Sequence, residues 1–188
     1  MKIHITIGDT LTYLIQEYEK AIADFTEYIE LNPDIADTYV FRGYSYFMRK
    51  KYKKAIADYT IAIELMPDYA KYYNRGMAYF RRAYFRKRDY AQAIADFSKA
   101  IELNPDYAAA YYQRGICYRK IKEYTQAVAD FTKYIELKPD VAIAYNYRSL
   151  SYFKIQEDEK GKADFYKANE IKKNQRNEKR KSNKNTNQ

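Results

Sequence analysis

One string recurs along this chain and limits what it can fold into. It reads IELNPD, IELMPD, IELNPD and IELKPD around Pro33, Pro67, Pro105 and Pro139, at spacings of 34, 38 and 34 residues. Ahead of each lies a second shared string: AIADFTEYIEL, AIADYTIAIEL, AIADFSKAIEL and AVADFTKYIEL. An eroded fifth copy, GKADFYKANEI, occupies 161–171. A further element precedes these strings and reads YVFRGYSYF, YYNRGMAYF, YYQRGICYR and YNYRSLSYF. Self-similarity at such a period marks one supersecondary unit copied along the chain. Each unit holds two segments with the 3.6-residue spacing of apolar side chains, and no alternating strand pattern competes. The closing proline stops the second segment, because it lacks an N–H and pushes the residue before it out of helical geometry. The reading is all-α.

Composition agrees with copying. The chain has 24 tyrosines and no tryptophan, so tyrosine travels with the unit. It also removes several kinds of chemistry. One cysteine, Cys117, excludes an internal disulfide framework and any multi-cysteine zinc site. One histidine, His4, argues against histidine catalysis or metal binding. No GxxxxGK or GxGxxG phosphate loop occurs, and no nucleophile–base or carboxylate pair stands apart from the repeat columns. No enzyme activity and no cofactor are expected. No run of 18 apolar residues occurs, so no membrane-spanning helix is expected. MKIHITIGDT lacks the apolar core of a signal peptide, and a cytoplasmic location is expected.

The columns within the repeat resemble those of the tetratricopeptide repeat family. On the first helix they are Tyr39, Tyr72, Tyr111 and Tyr145; then Gly43, Gly76, Gly115 and Ser149; then Tyr46, Tyr79, Tyr118 and Tyr152. On the second they are Ala21, Ala55, Ala93, Ala127 and Gly161, followed four residues later by Phe25, Tyr59, Phe97, Phe131 and Phe165. Tyrosine where the family often has tryptophan, and Ser149 in a glycine column, are departures. The resemblance implies a right-handed superhelical α-solenoid of antiparallel helix pairs, with four full units and an N-terminal partial unit. The units run about 1–34, 35–68, 69–106, 107–140 and 141–171, and a basic tail at 172–188 follows. Small residues let the paired helices approach, aromatics fill the gap, and stacked neighbours supply the core. Cys117 shares a small-residue column with Ser45, Ala78 and Ser151 and is read as core.

Arginine precedes each glycine-column residue: Arg42, Arg75, Arg114 and Arg148. The second helix carries Asp24, Asp58, Asp96, Asp130 and Asp164, each just before its aromatic. Complementary columns on packed helices predict a structural ion-pair ladder, with two parallel hydrogen bonds per pair. Five aspartates face four arginines, so one aspartate needs another partner. The weaker alternative is an arginine row gripping an anionic ligand.

Three places break the pattern. AYFRR at 78–82 is followed by AYFRK at 83–87, so the first helix of that unit should overrun or bulge, and the basic-aromatic insert is either a tolerated insertion or a contact element. In the last unit the columns of Ile22, Ile56, Ile94, Val128 and of Ile29, Ile63, Ile101, Ile135 become Lys162 and Asn169, which lets the array end in water. At the N-terminus, residues 2–16 occupy a first helix's place without its motif. Alternating Ile3, Ile5 and Ile7 suggest an extended segment, and Thr6 or Asp9 could cap a short helix from about Thr10. This end is the expected place for self-association. Residues 172–188 contain seven Lys or Arg, one Glu and no apolar side chain, so disorder is expected beyond a few helical residues.

The resemblance also implies that first helices line a concave face. The inward positions are then Val40, Tyr44, Phe47 and Met48; Tyr73, Met77, Phe80 and Arg81; Tyr112, Ile116, Arg119 and Lys120; Asn146, Leu150, Phe153 and Lys154. None is acidic and most are apolar, which suits a peptide or partner protein with apolar anchors and acidic residues. The sites that hold a chaperone's C-terminal carboxylate in one family subtype read Val40, Tyr44, Asn74, Ala109 and Gln113 here; only Asn74 fits. The expectation is a non-catalytic interaction module: scaffold, adaptor or chaperone. The alternatives are a nucleic-acid-associated repeat protein using the basic tail and insert, and a self-assembling structural repeat protein. No membrane partner is expected.

Overall fold

The computed structural model describes residues 7–86 and 90–185, with side chains over 16–84 and 90–179. The described residues form helices and turns only. The helices are α1 (Ile7–Leu31), α2 (Ala36–Met48), α3 (Tyr52–Leu65), α4 (Tyr69–Arg86), α5 (Ala91–Leu103), α6 (Ala108–Lys120), α7 (Tyr124–Leu137), α8 (Ala142–Lys154) and α9 (Asp158–Asn185). They fall into two compact units, Met1–Leu103 and Asn104–Gln188. In the first, each of α1 to α4 packs on the next; in the second, each of α6 to α8 does. This is the all-α solenoid of helix pairs that the repeat predicts. Each repeat proline sits two residues beyond the last helical leucine, where it cannot continue the helix.

The core of each pair is one aromatic seated under a glycine. Tyr59, Phe97 and Phe131 are fully buried, as are Ala55, Ala93 and Ala127 one turn earlier. Each such ring contributes about 1.5–3 kcal/mol by leaving water. A Cβ added at Gly43 would lie 2.9 Å from the Tyr59 ring, and one at Gly76 2.8 Å from Phe97. No larger residue fits without moving the helix pair apart. Ser149 breaks this column, and Gly161 compensates in the alanine column opposite. The buried Ser149 hydroxyl donates to the Gly161 carbonyl at 2.7 Å, and a Cβ on Gly161 would meet the Phe153 ring at 2.8 Å. The small residue has changed helix, and the close approach is kept.

The turns between paired helices are tight. Lys50, Lys122 and Gln156 take left-handed backbone, with φ of 57°, 67° and 62°. The next residue's N–H in each turn returns to the carbonyl of Tyr46, Tyr118 or Tyr152 at 2.8–3.0 Å, closing the helix end.

Three expectations change. α1 is one helix from Ile7 to Leu31, so Ile7 is helical and no turn separates a short first helix from the second. Met1, Ile3, His4, Ile5 and Thr6 lie outside the described residues. Counting back 34 residues explains the missing turn: Gly8 stands in the arginine column, Asp9 in the glycine column and Ile5 in the tyrosine column. A fold-back would bring none of the groups that hold the other pairs. α4 has 18 residues against 13 in α2, α6 and α8, as the duplication predicts; Lys87, Arg88 and Asp89 lie outside the described residues. α9 continues to Asn185, through a stretch expected to be disordered. No proline or glycine interrupts 172–185, and the Gln175 amide ties to the Asp140 carbonyl at 3.1 Å. The side chains of 172–179 are all exposed.

Candidate functional site

The ladder forms at every arginine. Arg42 Nε and Nη2 donate to the two Asp58 carboxylate oxygens at 2.9 and 2.8 Å. Arg75 holds Asp96 at 2.9 and 2.8 Å, Arg114 holds Asp130 at 2.9 and 2.7 Å, and Arg148 holds Asp164 at 2.7 and 2.8 Å. The hydrogen bond to its aspartate is the largest influence raising Arg42, Arg75 and Arg148 above the ordinary guanidinium value. Burial pushes the Asp96 and Asp130 carboxyls above the ordinary carboxylate value, and the guanidinium offsets only part of that while holding each carboxylate by two short hydrogen bonds. These aspartates are buried, so the row is a structural element and offers no anion site.

Two partners of the ladder were not read from the sequence. The remaining nitrogen Nη1 of Arg42, Arg75 and Arg148 reaches back to the hydroxyl of Thr26, Thr60 or Thr132 in the preceding repeat, at 3.2, 3.1 and 3.0 Å. Each threonine passes its own proton to the carbonyl four residues earlier. The arginine therefore ties its own pair together and joins it to the preceding one. Its guanidinium also lies over tyrosine rings: Arg148 over Tyr145 and Tyr152 at 5.6 and 5.8 Å, Arg114 over Tyr111 and Tyr118 at 5.8 and 5.9 Å. That gives a reason for tyrosine in both flanking columns. The threonines, each directly after the aromatic column, were the available signal. Lys71 was also missed: it is buried, with its ammonium between the carboxylates of Asp68 and Asp37, the latter at 3.7 Å.

Asp24 departs from the ladder. It is exposed and has no ion-pair or hydrogen-bond partner among the described residues, so it needs none. Cys117 is buried, and burial pushes its thiol up to about 12, which makes it inert core.

The sixteen first-helix positions divide. In the first unit, Tyr44 and Met48 are exposed, and Arg81 is exposed with them. Val40 and Phe47 pack on the core of Ala55, Ile56, Tyr59 and Ala78, and Tyr73 and Met77 are half-buried. Phe80 is buried, which corrects its placement on an open face: Tyr84, on the overrun of α4, lies against its ring at 6.4 Å, and Tyr90, just before α5, at 5.8 Å. In the second unit, Lys120, Leu150, Phe153 and Lys154 are exposed, while Ile116 and Asn146 are half-buried. Tyr112 sits among Phe131, Tyr134 and Tyr147, at 6.1, 5.1 and 5.9 Å. Burial and these phenols push it up to about 12.

Arg119 stands outside the ladder. It is half-buried over the Tyr147 ring at 4.9 Å, and its buried Nε has no hydrogen-bond partner among the described residues. Burial lowers its pKa, with no carboxylate to oppose the effect. Among the described residues no His, Cys, Asp and Glu cluster could hold a metal ion, and no helix is long and apolar enough to cross a membrane.

Family models described as tetratricopeptide repeat match residues 2–35, 36–69 and 82–142. Among solved structures, a crystal structure of MamA superposes with a TM-score of 0.80 at 26% identity, covering 93% of this chain and 99% of that one. MamA from Desulfovibrio magneticus RS-1 gives 0.75 at 16% identity, over 84% and 87% of the two chains. YrrB, described as a TPR protein with an unusual peptide-binding site, gives 0.71 at 24% identity, over 86% and 81%. No curated protein sequence matches.

Proposed function

The chain belongs to the tetratricopeptide repeat family, and from that premise we propose that its first-helix faces hold a peptide or partner segment rich in apolar and acidic residues. It is a non-catalytic protein-interaction module, working as a scaffold, adaptor or chaperone. The observation that carries this reading is Arg119. A half-buried guanidinium without a counter-ion costs stability in the free protein, and a ligand carboxylate would relieve that cost. Exposed Leu150 and Phe153 lie on α8, the helix whose Tyr147 ring carries Arg119, and exposed Tyr44 and Met48 lie on α2. Such side chains suit apolar anchors. YrrB, which shares the fold, is a peptide-binding protein by its description.

Selection of random peptides on the full chain tests this. Enriched sequences should combine apolar anchors with Asp or Glu. Arg119→Leu should weaken their binding by about tenfold or more while raising the melting temperature, because the half-buried charge without a counter-ion is gone. Enriched peptides that bind Arg119→Leu and Leu150→Ala as tightly as the parent would overturn the reading.

A second reading rests on α9. Lys172, Lys173, Arg176 and Lys179 are exposed on its basic end, which suits nucleic acid. Binding of that kind falls steeply with salt and would be lost on deleting 172–188, whereas apolar peptide binding would survive both.

A further inference from the structure

We propose that the outward face of α1 is a docking site for a helix of another protein that carries the stripe aromatic–x–x–Arg–Gly–x–x–aromatic. This surface is separate from the first-helix faces, and the proposal does not depend on them.

The chain supplies its own template. α3, α5, α7 and α9 each present a small residue, an aspartate and an aromatic at spacings of three and one. Each is covered by a first helix bringing arginine to the aspartate and a glycine or serine to the aromatic or the small residue. α1 presents the same set, Ala21, Asp24 and Phe25, with nothing over it among the described residues. Burial follows the cover. Asp58, Asp96, Asp130 and Asp164 are buried, whereas Asp24 is exposed. Tyr59 and Phe131, with a first helix on both sides, are enclosed; Phe25, with only the following one, is half-buried, and Phe165, with only its own, is exposed. Tyr28, in the column of the fully buried Ala62 and Ala100, is 46% exposed.

Ring contacts repeat the contrast. Phe131 lies against Tyr147 of the following first helix at 5.6 Å and Tyr112 of its own at 6.1 Å. Phe25 has the first kind of neighbour, Phe41 at 5.8 Å, and the position of the second is open. By sequence, residues 2–14 lack the stripe, with Gly8 in the arginine column and Asp9 in the glycine column. A second copy offers the arginines of its own stripes, Arg42, Arg75, Arg114 and Arg148, only from helices already packed, each holding its own aspartate. The face therefore calls for an arginine from outside. Asp24 supplies the complementary charge, and the three inner pairs show the geometry it would adopt: two N–H donors on one carboxylate at 2.7–2.9 Å.

The probe is the chain's own first-helix sequence as a free peptide with blocked ends, ADTYVFRGYSYFMRK, residues 36–50. It is titrated into the full chain alongside a peptide with Arg42→Met. The expected result is saturable binding of the first peptide. Arg42→Met in the peptide or Asp24→Asn in the chain should each weaken it by about tenfold, and both together no further than either alone. Asp24→Asn leaves folding intact because the carboxylate is exposed and unpartnered, and an unchanged melting temperature verifies that. Arg119→Leu should not alter the titration, which keeps this site distinct from the first-helix face. Three outcomes overturn the proposal: no saturable binding up to about 1 mM, binding indifferent to Asp24→Asn, or a dimer of the chain alone in sedimentation that Asp24→Asn abolishes, since a second copy would then be the occupant.

Discussion

A guanidinium in these repeats serves several neighbours at once, and that sets the cost of losing it. Arg148 holds both oxygens of Asp164, the hydroxyl of Thr132, and two tyrosine faces. Arg148→Met keeps most of the aliphatic volume and leaves Asp164 buried without a counter-charge, so it should cost about 3–5 kcal/mol in urea denaturation. Asp164→Leu in the same chain removes the stranded charge. The double variant should therefore be clearly more stable than Arg148→Met alone; if it is not, the pair is not the source of the loss. The neutral buried acids set a second expectation. Burial raises Cys117 from 9.0, and Tyr112 from 10.0, to about 12 in each case. Between those values the unfolded chain releases protons that the native chain keeps, so the unfolded state gains. Stability should be flat below about pH 9 and fall from there toward pH 12, read as melting temperature across that range. Cys117→Ala should delay the onset until the tyrosines begin to titrate, and it should not react differently from the parent toward a thiol reagent in the native state, because the buried thiol is already unreactive.

At the level of elements, what could be read from the chain was whatever repeats. Helix order, the proline stops and the Arg–Asp rungs all appear as columns, and a column reports packing because the same contact is made several times. The hydroxyls of Thr26, Thr60 and Thr132 were equally periodic, but their role depends on which helix lies beside them, and spacing along one helix does not carry that. Single events were harder. Phe80 fits the open-face column by count, yet the five extra residues of α4 put Tyr84 against it in addition to Tyr90. Its contact with Tyr90 matches that of Phe47 with Tyr52, at 5.8 and 5.6 Å, so the duplication lengthens the helix while leaving the pair's inner contact in place. The basic end of α9 was misjudged for a different reason. Its composition cannot build a core, but a helix already started by packed residues such as Ala168 and Ile171 extends at little cost, since nucleation is the expensive step. At α1 the missing columns were visible, but their consequence, a straight helix with no turn at Gln16, was not drawn.

For the whole molecule, stability in a repeat protein is carried by neighbour contacts, so each helix should open according to how many of its faces are covered. α3 lies between α2 and α4, and α7 between α6 and α8. Their aromatics Tyr59 and Phe131 are fully enclosed. α1 has α2 on one side, and Asp24, Phe25 and Tyr28 on the other are left partly or wholly in water. The difference is about one enclosed aromatic face, or about 2–3 kcal/mol. Amides of α1 over 18–31 should therefore exchange with deuterium roughly 30- to 160-fold faster than those of α3 and α7 under native conditions. The stretch 172–185 of α9 should exchange faster still, because the side chains of 172–179 are exposed and only Gln175 reaches another helix end. Local propensity makes the competing expectation, because AIADFTEYIEL is as helical as its sister strings and would give α1 the same protection as α3. Equal protection would mean that intrinsic helicity holds α1 and that its uncovered face is no weak point. Exchange faster in α1 than in α3 and α7 would place a weak point of the packed array at the face with an unpaired aspartate, where a bound helix has stability to add.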